Sequence, residues 1–133
     1  TDAIANPQTA LVTITITEAG YSIDNPAQVI HRLAVALDMR RRLNGEEIAL
    51  VPCDNLPANG EKLKNVLLEI FRGFEPDATE WLLSKVSFVT TSIDRITPKT
   101  TPSDIDLVAA ETNWQDENVT VTEPTAAGWA AAG

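Results

Sequence analysis

The chain has 133 residues, 44% of them hydrophobic and 5% aromatic, which suits one domain of ordinary size with a mostly aliphatic core. A formal net charge of −9 argues against a nucleic-acid partner, which would need clustered Lys and Arg for its phosphates, and no apolar run approaches the ~18 residues that span a bilayer. With one Cys and one His, the chain cannot close an internal disulfide and is poorly equipped for a metal cluster, so the expected ligand is a small molecule and the expected compartment the reducing cytoplasm.

In chain order, residues 11–17 (LVTITIT) alternate Val12, Ile14 and Ile16 with Thr13, Thr15 and Thr17, a period of two in β-branched residues that predicts a strand. A helix is predicted over 26–44, with Asn25 as N-cap and Pro26 at its first position. Its expected buried stripe is Val29, Leu33, Ala36, Leu37 and Leu43, and Asn44-Gly45 supplies the stop. The run Arg40-Arg41-Arg42 near that end complements the helix dipole and is expected to face solvent. EIALVPC (47–53) is a continuous apolar run suited to a strand covered on both faces, with Pro52 tolerable only near its end.

A second helix is predicted from Gly60 to Gly73, a shorter one over DATEWLLSKV (77–86), and a third strand over SFVTTSI (87–93). TPSDIDLVAAET (101–112) predicts a short helix entered through Ser103, and NVTVTE (118–123) a last strand. The order β-α-β-α-α-β-α-β implies parallel strands joined by helical crossovers, part of a doubly wound α/β Rossmann-like sheet with helices on both faces. The tail TAAGWAAAG is too rich in small residues to pack by itself and has the character of a cut edge.

In such a sheet the loops TEAGY (17–21), CDNLPANG (53–60) and DRITP (94–98) emerge at one carboxyl edge, where open α/β folds bind ligands. Three polar clusters therefore converge there: Glu18 with Tyr21, Asp54 and Asn55 with Asn59, and Asp94 with Arg95. Each also has a purely structural alternative. Asp54 or Asn55 can serve as a cap or Asx-turn residue, and Asn59 is expected to cap the next helix. Glu18 can simply face water, Asp94 and Arg95 can pair with each other, and Tyr21 can pack its ring and leave its hydroxyl wet. His31, mid-helix, reads as a surface or half-packed histidine, and Cys53 as a small apolar core residue. No G-x-G-x-x-G, P-loop or HExxH occurs, so a dinucleotide site cannot be complete within these residues.

Together LVTITITEAGY, VPCDNLPANG and SFVTTSIDRITPKTTPSD resemble the polyol-specific long-chain dehydrogenase family, with TEP at 122–124 and Trp129 matching its next landmark. The resemblance implies an oxidoreductase using NAD or NADP, without metal, that interconverts a secondary alcohol of a sugar alcohol or sugar acid with the ketose or keto-acid. Asn55 matches the family asparagine that polarises the reacting oxygen and binds substrate. Asp94 matches an aspartate at the nicotinamide and substrate end, and Glu18 falls in the loop near the cofactor. On this reading residues 1–133 are the second half of a dinucleotide-binding domain. The Gly-rich first half, and the helical substrate domain with its Lys, Asn and His on one helix, lie outside it, and the chain alone is inactive. The stretch before the helix at 26 is shorter than in the family, and the tail after Glu123 departs from its aromatic-rich pattern. A second reading, from another class, is a free-standing, non-catalytic α/β ligand-binding or regulatory module.

Overall fold

A computed structural model describes residues 2–94, 99–116, 118–121 and 128–132, the side chains of 93, 94, 128 and 129 excepted. The chain divides into two units, residues 1–93 with 129–133 and residues 94–128. In the first, β1 (Leu11–Ile14), β2 (Ile48–Pro52) and β3 (Val86–Phe88) form a parallel sheet in that order. Leu11 pairs with Ala49, Ile14 with Pro52, and Leu50 with Phe88. Helix α2 (Gln28–Leu43) makes the first crossover, and α3 (Asn59–Phe71) with α4 (Pro76–Lys85) the second. The three helices touch one another, and α3 and α4 also pack on the sheet. A parallel α/β sheet with helical crossovers is the class the alternation predicts.

The core joins Ile30, Leu33, Ala34 and Leu37 of α2 to Leu63, Val66, Leu67 and Phe71 of α3, over Ile48 and Leu50 of β2. Those α2 positions follow the i, i+3, i+4, i+7 spacing of one helix face. The buried stripe therefore lies one residue away from the expected one at its start: Ile30 replaces Val29, and both Val29 and Leu43 are exposed. Ala36 is buried as expected, and Val29 instead lines a cleft of about 540 Å³ between α2 and β1, together with Val12, Ile14, Ile16 and Leu33. Helix α2 also starts later than expected. Asn25 and Pro26 remain in the entering turn, because Ser22 Oγ accepts the Asn25 N–H at 3.3 Å and Gly20 O accepts the Ala27 N–H at 3.0 Å. The N-cap is Ala27, without a side-chain bond. The stop at Asn44-Gly45 is as expected, with Gly45 at φ 67°.

The three arginines part company. Arg40 is fully buried rather than solvated. Its guanidinium donates to the carbonyls of Ile4 (2.8 Å), Asn6 (2.7 Å), Glu46 (2.9 Å) and Glu47 (2.8 Å). These are carbonyls at the end of a short helix that sequence periodicity did not announce, α1 (Asp2–Ala5), and in the turn after α2. Four aligned carbonyl dipoles satisfy the buried cation without a carboxylate. Arg41 bridges Asp38 (2.9 Å) to Glu75 (2.6 Å) and Asp77 (2.7 Å) at the start of α4, and Arg42 reaches Asp38 at 2.8 Å.

The predicted third strand is two: β3 ends at Phe88, and β4 (Thr90–Asp94) pairs instead with β5 (Gly128–Ala132). The fifth strand thus forms from GWAAA, in the tail expected not to pack. Residues 118–121 of the expected NVTVTE strand are turn and coil, and 122–123 lie outside the described residues. In the second unit, α5 (Pro102–Thr112) is capped by Thr101 rather than Ser103. Pro102 occupies the first helical position, and Asp104 Oδ2 accepts from the Thr101 N–H at 2.7 Å and hydroxyl at 2.6 Å. Those two bonds hold the Asp104 carboxyl below the usual carboxylate range. Among the described residues no helix is long and apolar enough to cross a membrane.

Candidate functional site

The loops after β1 and β2 meet at the carboxyl end of the parallel sheet. After β1 the chain makes a short 3-10 turn, Glu18–Tyr21, which leaves Glu18 exposed and folds Tyr21 inward to 7% exposure. The Tyr21 hydroxyl is not wet: it donates to Asp54 Oδ2, in the loop after β2. Burial first, and then the hydrogen bond to Asp54 and its charge, raise the phenol far above its ordinary value, so it stays protonated. The other oxygen, Asp54 Oδ1, accepts from Leu56 N at 3.3 Å, the Asx turn open to this residue on sequence grounds.

Asn59 does not cap α3; it is the first residue of the helix and fully buried. The N-cap is Ala58, at φ 55°. Asn59 Nδ2 donates to Asp54 O (3.1 Å), Asp54 Oδ1 (3.3 Å) and Thr91 Oγ1 (3.2 Å). Its Oδ1 accepts from Gly60 N (2.9 Å) and Thr91 N (3.0 Å), while the Thr91 hydroxyl donates to Pro52 O. Pro52, in conflict with a central strand on sequence grounds, thus sits at the last position of β2, with its carbonyl turned to side chains. Val89 N still donates to Leu50 O, but the next donor in that direction, Thr91 N–H, goes to a side chain, so the ladder to β2 does not continue past Val89.

Gly60 makes the second contact at this break. A Cβ there would lie 2.6 Å from Val89 O, 2.8 Å from Val89 C and 2.9 Å from Thr90 N, all backbone atoms. Gly60→Ala is therefore expected to destabilise the fold by about 1–3 kcal/mol through overpacking, against the ~1 kcal/mol that alanine ordinarily gains over glycine in a helix interior. Urea unfolding of the pair of proteins checks this; a rise in midpoint would refute the clash.

Asn55 is exposed between these anchors and, with Leu56, Pro57, Ala58, Thr90, Thr91 and Ser92, borders a concavity of about 170 Å³. Its amide makes no hydrogen bond to another described side chain. A neutral amide beside the hydroxyl-bearing Thr90 and Ser92 suits polar, uncharged ligand groups. The space takes a fragment rather than a whole dinucleotide, for which sites run to ~300–1,000 Å³. Asp94 ends β4, but its side chain, like all of Arg95, Thr97, Pro98 and residues 122–124, lies outside the described residues. His31 is exposed, as expected, and Cys53 is half-buried, its thiol near Val51 O at 3.4 Å. Sequence reasoning missed Tyr21–Asp54 and Asn59–Thr91 as partners, and no local signal joins residues 33 and 32 positions apart.

Mannitol 2-dehydrogenase of Aspergillus clavatus is 29% identical over 144 aligned residues, covering 91% of this chain and 29% of the relative. D-mannonate oxidoreductase of Escherichia coli is 28% identical, covering 92% of this chain and 30% of the relative. Among solved structures, Pseudomonas fluorescens mannitol 2-dehydrogenase, in a ternary complex with NAD and D-mannitol, superposes with a TM-score of 0.69 at 27% identity, over 98% of this chain and 30% of that one. The chain thus spans under a third of the length of these relatives. The family description "Mannitol dehydrogenase Rossmann domain" matches residues 1–126, and the chain belongs to that family.

Proposed function

We propose that this chain is the second half of a dinucleotide-binding domain in an NAD(P)-dependent oxidoreductase that interconverts a secondary alcohol of a polyol or sugar acid with the corresponding ketose or keto-acid. The observation that carries the reading is the placement of the family's DNLPANG loop at the carboxyl end of the parallel sheet, with Asn55 exposed beside the concavity. A bound nicotinamide supplies the hydride acceptor or donor. Asn55 donates an amide N–H to the reacting oxygen, stabilising alkoxide character without giving up a proton. Asp94 holds sugar hydroxyls by charge-assisted hydrogen bonds near the nicotinamide end, and Glu18, exposed on the first loop, lies toward the cofactor. The general base is a residue outside these 133.

A first half of the domain fits the surface that the chain leaves open. β1 pairs with β2 on one edge, and no described strand pairs with the other. Leu11 on β1 and Val29, Met39 and Leu43 on α2 are exposed, and Val29 lines the 540 Å³ cleft. This favours the dehydrogenase half-domain over a free-standing module. The isolated 133-residue chain is accordingly expected to self-associate in sedimentation experiments, where a module that covers its own core would run as a monomer. The direct test is turnover: full-length protein is expected to reduce NAD or NADP on addition of a hexitol or hexonate, followed by absorbance of the reduced cofactor. No turnover with any polyol or hexonate and either cofactor would overturn the reading.

A further inference from the structure

Asn55 lies in the loop between β2 and α3, where no strand or helix ladder holds it. Yet both of its neighbours are fixed. Asp54 is held through its carboxylate by Tyr21 and through its carbonyl by Asn59 Nδ2 at 3.1 Å, and Leu56 N is held by Asp54 Oδ1 at 3.3 Å. Asn59 is in turn locked to Thr91 by both ends of its amide. Two separate segments, the turn after β1 and the start of α3, therefore converge on the residue next to Asn55, and the start of β4 braces the second of them through Asn59. Asn59 is fully buried and Tyr21 nearly so. Burial keeps water from competing for these bonds, so the arrangement is stiffer than an exposed loop would otherwise be.

We propose that Tyr21 and Asn59, acting through the Asp54 carboxylate, are positioning residues that hold Asn55 in register with the reacting oxygen. The proposal rests on the reading of Asn55 given above. Neither residue touches substrate. Their work is to remove the small displacements to which a directional hydrogen bond in a transition state is sensitive. The phenol remains the donor because its proton is held well beyond the ordinary range. Tyr21→Phe therefore deletes one hydrogen bond while the ring still fills its site.

A double-mutant cycle in full-length protein separates positioning from a general structural role. Tyr21→Phe is expected to lower kcat on the order of tenfold with KM for the cofactor unchanged. Asp54→Asn, which cannot accept all of the same bonds, is expected to do the same. In an Asn55→Ala background the Tyr21→Phe loss should vanish, because there is no amide left to position. Tyr21→Phe at the full rate, or a loss that adds undiminished to that of Asn55→Ala, overturns the proposal while leaving the function standing. Asn55→Ala at the wild-type rate overturns the catalytic reading, and the proposal with it.

Discussion

Arg40→Met is expected to lower the unfolding free energy by about 3–5 kcal/mol. Methionine fills much of the same volume, so the loss comes from four carbonyls deprived of their donor and not from a cavity. Each buried carbonyl left without a partner costs about 1–3 kcal/mol. The full sum is not reached, because Glu46 and Glu47 are exposed and their carbonyls can turn to water. Such a change is a large share of the ~5–15 kcal/mol that keeps a domain folded. Arg40→Lys should recover only part of it: an ammonium is a single point with three donors and cannot reach carbonyls on two sides as the guanidinium fork does. Urea unfolding at unchanged slope measures both variants. A loss under ~1 kcal/mol for Arg40→Met would show that the carbonyls find water at little cost. The neighbouring Arg42, exposed and paired to Asp38, should cost well under this when removed, as is usual for surface pairs.

Asn55→Ala in full-length protein is expected to reduce turnover on the order of a hundredfold, about 3 kcal/mol of transition-state stabilisation. In the proposed role the amide meets charge that develops only as the carbon–oxygen bond changes order, so the effect is expected in kcat rather than in cofactor KM. Asn55→Asp should be slower still, because a carboxylate cannot donate and repels the forming alkoxide. Stability should barely change in Asn55→Ala, within about 0.5 kcal/mol, since the side chain is exposed. The two substitutions are thus expected to be opposite cases, Arg40→Met acting on stability and Asn55→Ala on turnover. Unchanged turnover in Asn55→Ala would remove the oxyanion role and leave the family fold intact.

How much of this was legible in the sequence follows from how local each signal is. Alternation in LVTI, the apolar run IALVP and the 3.6-residue spacing in α2 and α3 report burial of an element's own face, and they predicted the crossovers and parallel sheet. Pro52 and Asn44-Gly45 acted as punctuation because their backbone preferences travel with them. The quoted loops likewise identified the family, whose fold the structure and the superposition bear out.

What the sequence could not contain is the partner of a polar side chain. Arg40, Arg41 and Arg42 read as one basic run, yet successive helical residues point about 100° apart. Only the packed chain decides that Arg40 meets carbonyls 34 and 36 residues away while Arg42 stays exposed and pairs with Asp38 on its own helix. Pairing with β2 stopped for the same reason: Asn59, 32 residues earlier, takes the Thr91 N–H that would have continued that ladder. GWAAA became a strand where β-branched VTV (119–121) did not, because pairing depends on an available edge more than on propensity. At the site, the motif alone pointed to Asn55. That its loop is tied to Tyr21 on one side and Thr91 on the other was decided by tertiary structure, since a buried hydrogen bond is set by distance in space and not along the chain.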